Sequence, residues 1–342
     1  MLIGHTAGFA WGASDAPMAG NNWTARTAAG SRAWWRMTAS ANGQKLAAVV
    51  TVPGQSDGYI YTSADGGATW TERTAAGLRR WADVATSADG QRIAACCQNS
   101  TPGTNDGLGS IYTSADSGVT WTGRTAAGLG RWGAIAMSAD GQKLVAGNTD
   151  YSASYVYTSA DAGATWTTRT AVGNNMWTTL GMSGDGQTVV AGKGWGQGGS
   201  ALRLSLDGGA TWATATGAGT RSWAGFALSA DGQSIVALDG YASQGYIYTS
   251  TDRGTSWTER TVAGSRIWTG CAMSADGQRI AATADGGQYN AAGPLLLSAD
   301  AGVSWATATN AGTRTWRGIA GSSDLSTIAA AASAGYIYTS TS

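Results

Sequence analysis

An octet that starts with serine and ends with tryptophan recurs along this chain and restricts it to folds built from one repeated unit. It reads Ser63-Ala-Asp65-Gly-Gly-Ala-Thr-Trp70, and it returns as Ser114 to Trp121, Ser159 to Trp166, Ser205 to Trp212, Ser250 to Trp257 and Ser298 to Trp305. Asp is always third, Gly fifth and Trp last. With Trp23 at the head of the series, the anchors are spaced by 47, 51, 45, 46, 45 and 48 residues. That period suits one four-stranded sheet per repeat. Seven anchors therefore predict seven units, and a repeat that spans 342 residues argues for one closed body rather than two or three domains.

One unit reads outward from Trp70. Trp70 to Thr74 is an outermost strand, Ala75 to Arg80 crosses to the next unit, and Trp81 to Thr86 is the innermost strand there. Ser87-Ala-Asp89-Gly90-Gln91 is a turn, Arg92 to Cys96 a second strand, and Ile111 to Ser114 a third that runs into the next octet. The turn recurs with Asp140, Asp185, Asp231 and Asp276 before Gly, with Asn42-Gly43 in the first unit and Asp324-Leu325 in the last. Asn/Asp-Gly is a hairpin signal because both residues tolerate positive φ. The inner strands are rich in Ala, Gly and Val, as expected where sheets cover both faces.

The octet is the Asp-box pattern, S-x-D-x-G-x-[TS]-W, and over residues 20–342 the chain resembles the Asp-box (BNR, sialidase-type) β-propellers. The resemblance implies an all-β, seven-bladed propeller of four-stranded antiparallel blades, with the octet closing the hairpin between the two outer strands. Asp65, Asp116, Asp161, Asp207, Asp252 and Asp300 are then structural. Residues 1–19, with His5, Phe9, Trp11 and Asp15, fall outside the repeat as an N-terminal extension.

The repeats also differ in a correlated way. Five third strands carry Tyr (Tyr61, Tyr112, Tyr157, Tyr248, Tyr338), and four of the following outer strands carry Arg (Arg73, Arg124, Arg169, Arg260). Where Arg203 and Leu296 replace the Tyr, Ala215 and Ala308 replace the Arg. The expectation is a Tyr–Arg contact across each hairpin. Tyr338 and Arg26 are then each other's missing partners, so the strand from Asn22 to Thr27 completes the C-terminal blade and removes the open sheet edges.

Charge narrows the function. Lys+Arg and Asp+Glu are 21 each, without the positive field that a nucleic-acid partner requires. Cys96, Cys97 and Cys271 define no disulfide framework. Residues 1–11 lack the features of a signal peptide, no stretch is apolar enough for membrane insertion, and the cysteine usage leaves the compartment open, with a secreted or cell-surface bacterial setting favoured. A single His and scattered Cys build no transition-metal site, and no cofactor is expected. Loop carboxylates such as Asp106 after Asn105, or Asp150 near Asn148, have the chemistry for at most a surface Ca²⁺, and no metal site is expected.

The octets and the Ser-x-Asp-Gly turns share one monotonous rim, while the crossings and the loops between second and third strands share the other. Those loops (Val52 to Gly58, Gln98 to Gly109, Asn148 to Ser154, Lys193 to Ser200, Asp239 to Gly245, Thr283 to Gly293) vary, and variable loops on a rigid scaffold are where binding is expected. The crossings carry Gly-x-Arg-x-Trp: Arg32/Trp34, Arg79/Trp81, Arg221/Trp223, Arg266/Trp268 and Arg314/Trp316, with the Arg shifted in Arg131/Trp132 and absent before Trp177. One reading is a ring of glycan sites, indoles stacking on sugars and guanidinia donating to hydroxyls, with avidity from repetition. The other is that each Trp wedges between blades.

On balance the sequence points to a non-catalytic binding propeller, lectin-like first, a protein-binding scaffold or assembly factor second, and a glycosidase using loop aspartates third. Sialidase chemistry as the resemblance implies it needs a Tyr activated by Glu, and Glu72 and Glu259, the only glutamates, sit at one repeat position on outer strands. The remaining aspartates, Asp15, Asp57, Asp83, Asp106, Asp150, Asp239 and Asp285, are the candidates for a paired-carboxylate mechanism.

Overall fold

The computed structural model describes residues 18–20, 22–50, 57–99, 108–150, 154–194, 199–240 and 243–342. Apart from six single-turn 3-10 segments, the described secondary structure is all strand. Strand β1 (Trp23–Arg26) precedes the first blade, which is formed by β2 (Arg32–Ala39), β3 (Leu46–Val50), β4 (Ile60–Ser63) and β5 (Thr71–Arg73), each antiparallel to the next. Five further four-stranded blades follow, with innermost strands at Trp81–Thr86, Trp132–Met137, Thr179–Met182, Trp223–Leu228 and Ile267–Met273. The seventh blade takes three strands from the end of the chain, Trp316–Gly321, Thr327–Gly335 and Ile337–Thr341, and its outer strand is β1.

The ring closes as the repeat predicts. β1 pairs antiparallel with Ile337–Thr341, from Trp23 opposite Ser340 to Arg26 opposite Ile337, so the two ends of the chain share one blade. Of the expected N-terminal extension, Met18 and Ala19 are buried in the cluster around Trp316, while residues 1–17 lie outside the described residues. A second closure lies on the rim of the turns. Ala41 donates its amide to Ala88, Ala88 to Ala139, Ala139 to Gly184, Asp185 to Ala230, Ala230 to Ala275, Ala275 to Ser323, and Ser323 back to Ala41, at 2.6 to 3.2 Å. This belt of backbone hydrogen bonds runs once around the axis and touches every blade. On the same rim the two turns of a blade are tied together, as Gly66 to Gln44 at 2.8 Å in the first and Ser342 to Ser326 at 2.8 Å in the last.

The octet forms its turn through its own side chains. In the second blade Asp116 accepts from the Thr120 amide at 2.8 Å and hydroxyl at 2.6 Å, and from the Ser114 hydroxyl at 2.8 Å. The Trp121 indole donates to the Gly118 carbonyl at 2.9 Å, which pins the ring over the turn. The same aspartate contacts recur in the other copies, so these carboxylates are consumed in holding the hairpins.

Among the described residues the core is seven clusters, one at each seam between neighbouring blades, and each is centred on one inner tryptophan. Trp81 packs with Ala47, Val49 and Ile60 of the first blade and Val84, Ile93 and Ala95 of the second. Trp34 does the same across the closing seam, against Ala329, Ala331 and Ile337. Close approach at these seams explains Gly147, where a Cβ would lie 2.3 Å from the Trp177 carbonyl oxygen.

Candidate functional site at the axial mouth

The crossing tryptophans are seam wedges. Trp34, Trp81, Trp132, Trp177, Trp223, Trp268 and Trp316 are each 0 or 1% exposed, which leaves no ring face for a sugar. This corrects the expectation of a ring of stacking platforms: a large aromatic at the start of each inner strand is the group that fills the gap between two twisted sheets.

Their arginine neighbours have a defined job too. Arg32, Arg79, Arg266 and Arg314 donate Nε to the last carbonyl of the preceding 3-10 turn, and Arg221 to the equivalent carbonyl of Ala218, at 2.9 to 3.2 Å. Four of these five lie over the third-strand tyrosine of their own blade: Arg32 over Tyr61 at 4.6 Å, Arg79 over Tyr112 at 4.7 Å, Arg221 over Tyr248 at 4.2 Å and Arg314 over Tyr338 at 3.9 Å. The tyrosine also meets the buried tryptophan edge-on, as in Trp34–Tyr61 at 5.1 Å. Arg131 is half-buried beside Trp132.

The expected Tyr–Arg contact across the hairpin is therefore overturned. Tyr61 stands opposite Glu72, to whose carboxylate its hydroxyl donates, and Arg73 stands opposite Ile60. One step of register puts Arg73 on the other face of the sheet. There it donates to the Thr62 hydroxyl at 2.7 Å, as Arg26 does to Thr339 at 2.6 Å in the closing blade. Tyr248 and Glu259 repeat the tyrosine–glutamate pair.

What breaks the sevenfold repetition lies on the axis. A cavity of about 180 Å³ is lined by inner-strand residues of all seven blades, among them Arg36, Asp83, Ile135, Thr179, Phe226, Cys271 and Arg317. A second hollow shares Arg36, Ala224, Thr269 and Arg317 with it and adds Trp35, Trp268 and Tyr289. Tyr289 comes from the loop between the second and third strands of the sixth blade, so this hollow opens on the varied rim.

Charge at this mouth is arranged in two ways. Arg317 is buried and paired with Asp285, Nη1 to Oδ1 at 3.0 Å, and it also donates to the Trp316 carbonyl at 2.7 Å and to the Asn290 side chain. Arg36 of the first blade instead reaches sideways to the seventh and sixth, donating Nη1 to the carbonyls of Arg317 at 3.0 Å and Thr269 at 3.3 Å, with its guanidinium 5.1 Å from the Trp35 ring. Asp83 accepts from the amides of Val84 at 2.9 Å and Ile135 at 3.1 Å, and burial raises its pKa against the pull of Arg36.

The other loop aspartates are dispersed. Asp239 lies 3.4 Å from Arg221, Asp57 accepts from Asn99 at 3.0 Å, and the Asp150 amide donates to Asn148 at 2.7 Å. Asp15 and Asp106 lie outside the described residues. Sequence reasoning named Asp83 and Asp285 but passed over Trp35, Arg36, Tyr289 and Arg317. The signal was present one and two residues after the inner tryptophans, where Arg36, Asp83 and Arg317 interrupt a series of mostly small residues.

Among the described residues, no helix is long and apolar enough to cross a membrane. No protein-family profile matches the chain. No curated protein matches it either. Its fold is similar to solved propellers. A GH74 enzyme from Niastella koreensis aligns with a TM-score of 0.71 and 16% identity, over 94% of this chain and 53% of the other. The GH74 xyloglucanase from Xanthomonas campestris gives 0.69 and 16%, over 93% and 53%. The present chain thus spans about half the length of these two structures. YCF48 bound to D1 peptide gives 0.65 and 14%, over 96% of this chain and 97% of the other. At such identities the likeness establishes the β-propeller fold.

Proposed function

We propose that this chain is an Asp-box propeller that binds a segment of another protein on its varied rim, without catalysis. The observation that carries the reading is the distribution of exposed apolar side chains. Leu78, Leu108, Leu129, Val262 and Tyr289 are 37 to 69% exposed, and all five belong to crossings or second-to-third-strand loops. Leu78, Leu108 and Leu129 come from the two crossings and the loop of a single blade, the second. Val119, Leu206 and Val303, also exposed, sit singly in the octets of three different blades. Apolar groups that face water on a loop rim fit a protein partner better than a sugar, whose hydroxyls need polar neighbours. The full-length likeness to YCF48, solved with a peptide, supports the same class.

The test is an array of immobilised peptides probed with the wild-type protein and with a Leu78→Ser/Leu129→Ser variant. Binding that falls at least about tenfold in the variant, with its melting temperature retained, supports the reading. Silence across the array, or equal binding by both proteins, overturns it. A glycan ligand is the second reading, favoured by Trp35 and Tyr289 beside two guanidinia and by the likeness to GH74 structures. Binding on a glycan array that disappears in Trp35→Ala would bring it to the front.

A further inference from the structure

Two residues after the inner tryptophan, six blades carry Asp83, Ala134, Thr179, Gly225, Gly270 and Gly318, and the first carries Arg36. Among the described residues only Nη1 of that arginine is hydrogen-bonded, to the Arg317 and Thr269 carbonyls, and Nε and Nη2 have no hydrogen-bond partner. A guanidinium stays protonated and presents five N–H donors in a fixed plane, and Nε with Nη2 forms an edge that matches a carboxylate with two parallel bonds. Arg36 lines the axial cavity of about 180 Å³, which has room for such a group.

Among the described residues no carboxylate is ion-paired with it. Arg317 and Asp285 neutralise each other at 3.0 Å. Asp83 spends its carboxylate oxygens on the amides of Val84 and Ile135, and burial raises its pKa against the pull of Arg36. An anion entering from the varied rim therefore meets a cation with two of its five N–H donors bonded among the described residues, flanked by the Trp35 ring and the exposed Tyr289.

We propose that Arg36 receives a carboxylate of the docked protein segment at the axial mouth, with Trp35 and Tyr289 packing against the group that bears it. The inference rests on the protein-binding reading of the rim. Two sources supply this chemistry, an acidic side chain and a chain terminus.

The experiment measures binding of four probes by calorimetry at low salt: N-acetyl-phenylalanine, its amide, N-acetyl-aspartic acid α-amide and inorganic phosphate. The expected result is that one or both carboxylates bind at least about tenfold better than the amide, and that Arg36→Gln removes the difference. N-acetyl-phenylalanine as the better probe identifies a chain terminus, and the aspartic acid α-amide identifies a side chain. Arg36→Lys keeps the charge but loses the fork, so it should lose several-fold even if Arg36→Gln does not fold. Equal binding of acid and amide, failure of all four probes, or tighter binding of phosphate overturns the proposal. Carboxylate binding that depends on Arg36 in a protein that ignores the peptide array would sink the rim reading alone. Peptide binding that depends on Leu78 and Leu129 but not on Arg36 would sink this inference alone.

Discussion

Arg203 donates its Nε to the carbonyl of Val172 at 2.9 Å, and in doing so replaces an arginine that its own crossing lacks. Val172 ends the 3-10 turn before the fourth blade, at the place held by Ala29, Ala76 and Ala263 elsewhere. In those blades the donor comes from the crossing; in the fourth, that position is Asn175 and the donor comes from the third strand, where five of the other six blades keep tyrosine and the sixth blade has Leu296. The turn's carbonyl is satisfied either way, by exchange between two positions that converge on it.

This exchange is testable by reversal. Arg203→Ala should cost about 1–2 kcal/mol, the worth of a charge-assisted hydrogen bond at a half-buried site. Asn175→Arg with Arg203→Tyr should restore the common arrangement and recover most of that loss. Denaturant unfolding of the two single variants and the double variant measures the coupling, and additive losses would show that the two positions do not share one role.

The octets predict a stabilising change. Their fourth residue sits in the left-handed region, at φ 65° for Gly66 and 69° for Gly208, but at 55° for Ala162. A side chain costs about 1–2 kcal/mol there, part of which glycine gives back through its freer unfolded state. Ala162→Gly should therefore raise stability by about 0.5–1 kcal/mol. Ser117 has the same backbone at φ 57°, yet its hydroxyl donates to the Gly90 carbonyl at 2.9 Å, so Ser117→Gly should gain less. Thermal melts of the two variants side by side check the contrast.

Acid should loosen the turn rim. The hydroxyl and amide of Thr120 hold Asp116 at a pKa of about 2, and Thr165 and Ser256 do the same for Asp161 and Asp252. A carboxyl whose folded pKa is depressed stabilises the fold above its unfolded value, near 4, and loses that contribution as pH falls through about 2. Melting temperature should thus hold down to about pH 4 and then decline toward about pH 2. Asp116→Asn should flatten that decline slightly while lowering stability at neutral pH; these groups are exposed, so each effect is small.

Much of this fold was legible because one unit is written seven times. The octet's Asp and Trp announce a turn that their own side chains build, and the spacing of the tryptophans counts the blades. The Tyr–Arg correlation was read correctly as covariation and wrongly as contact, because sequence distance from the turn does not show which face of a strand a residue takes. Tyr61 and Arg73 are one register step apart, and the guanidinium over Tyr61 belongs to Arg32, 29 positions earlier in the chain. The candidate site was the least legible part. Arg36, Asp83 and Arg317 meet only because closure of the ring brings the first, second and seventh blades to one axis.

Closure itself gives the last prediction. Deleting residues 1–30 removes β1, strips the outer partner from Ile337–Thr341, and takes away the bond from Arg26 to Thr339 at 2.6 Å. The backbone belt from Ala41 to Ser323 and back would remain, because none of its donors lies in the deleted segment. If β1 is the clasp, the truncated chain should melt at least about 5 °C lower, since a loss of several kcal/mol in a body of this size shifts the midpoint by that order. A synthetic peptide covering residues 18–30, added in trans, should restore part of the loss by rebuilding the same ladder from Trp23 to Arg26. An unchanged melting temperature would mean that the belt alone holds the ring shut, and that pairing of the chain ends is incidental to its stability.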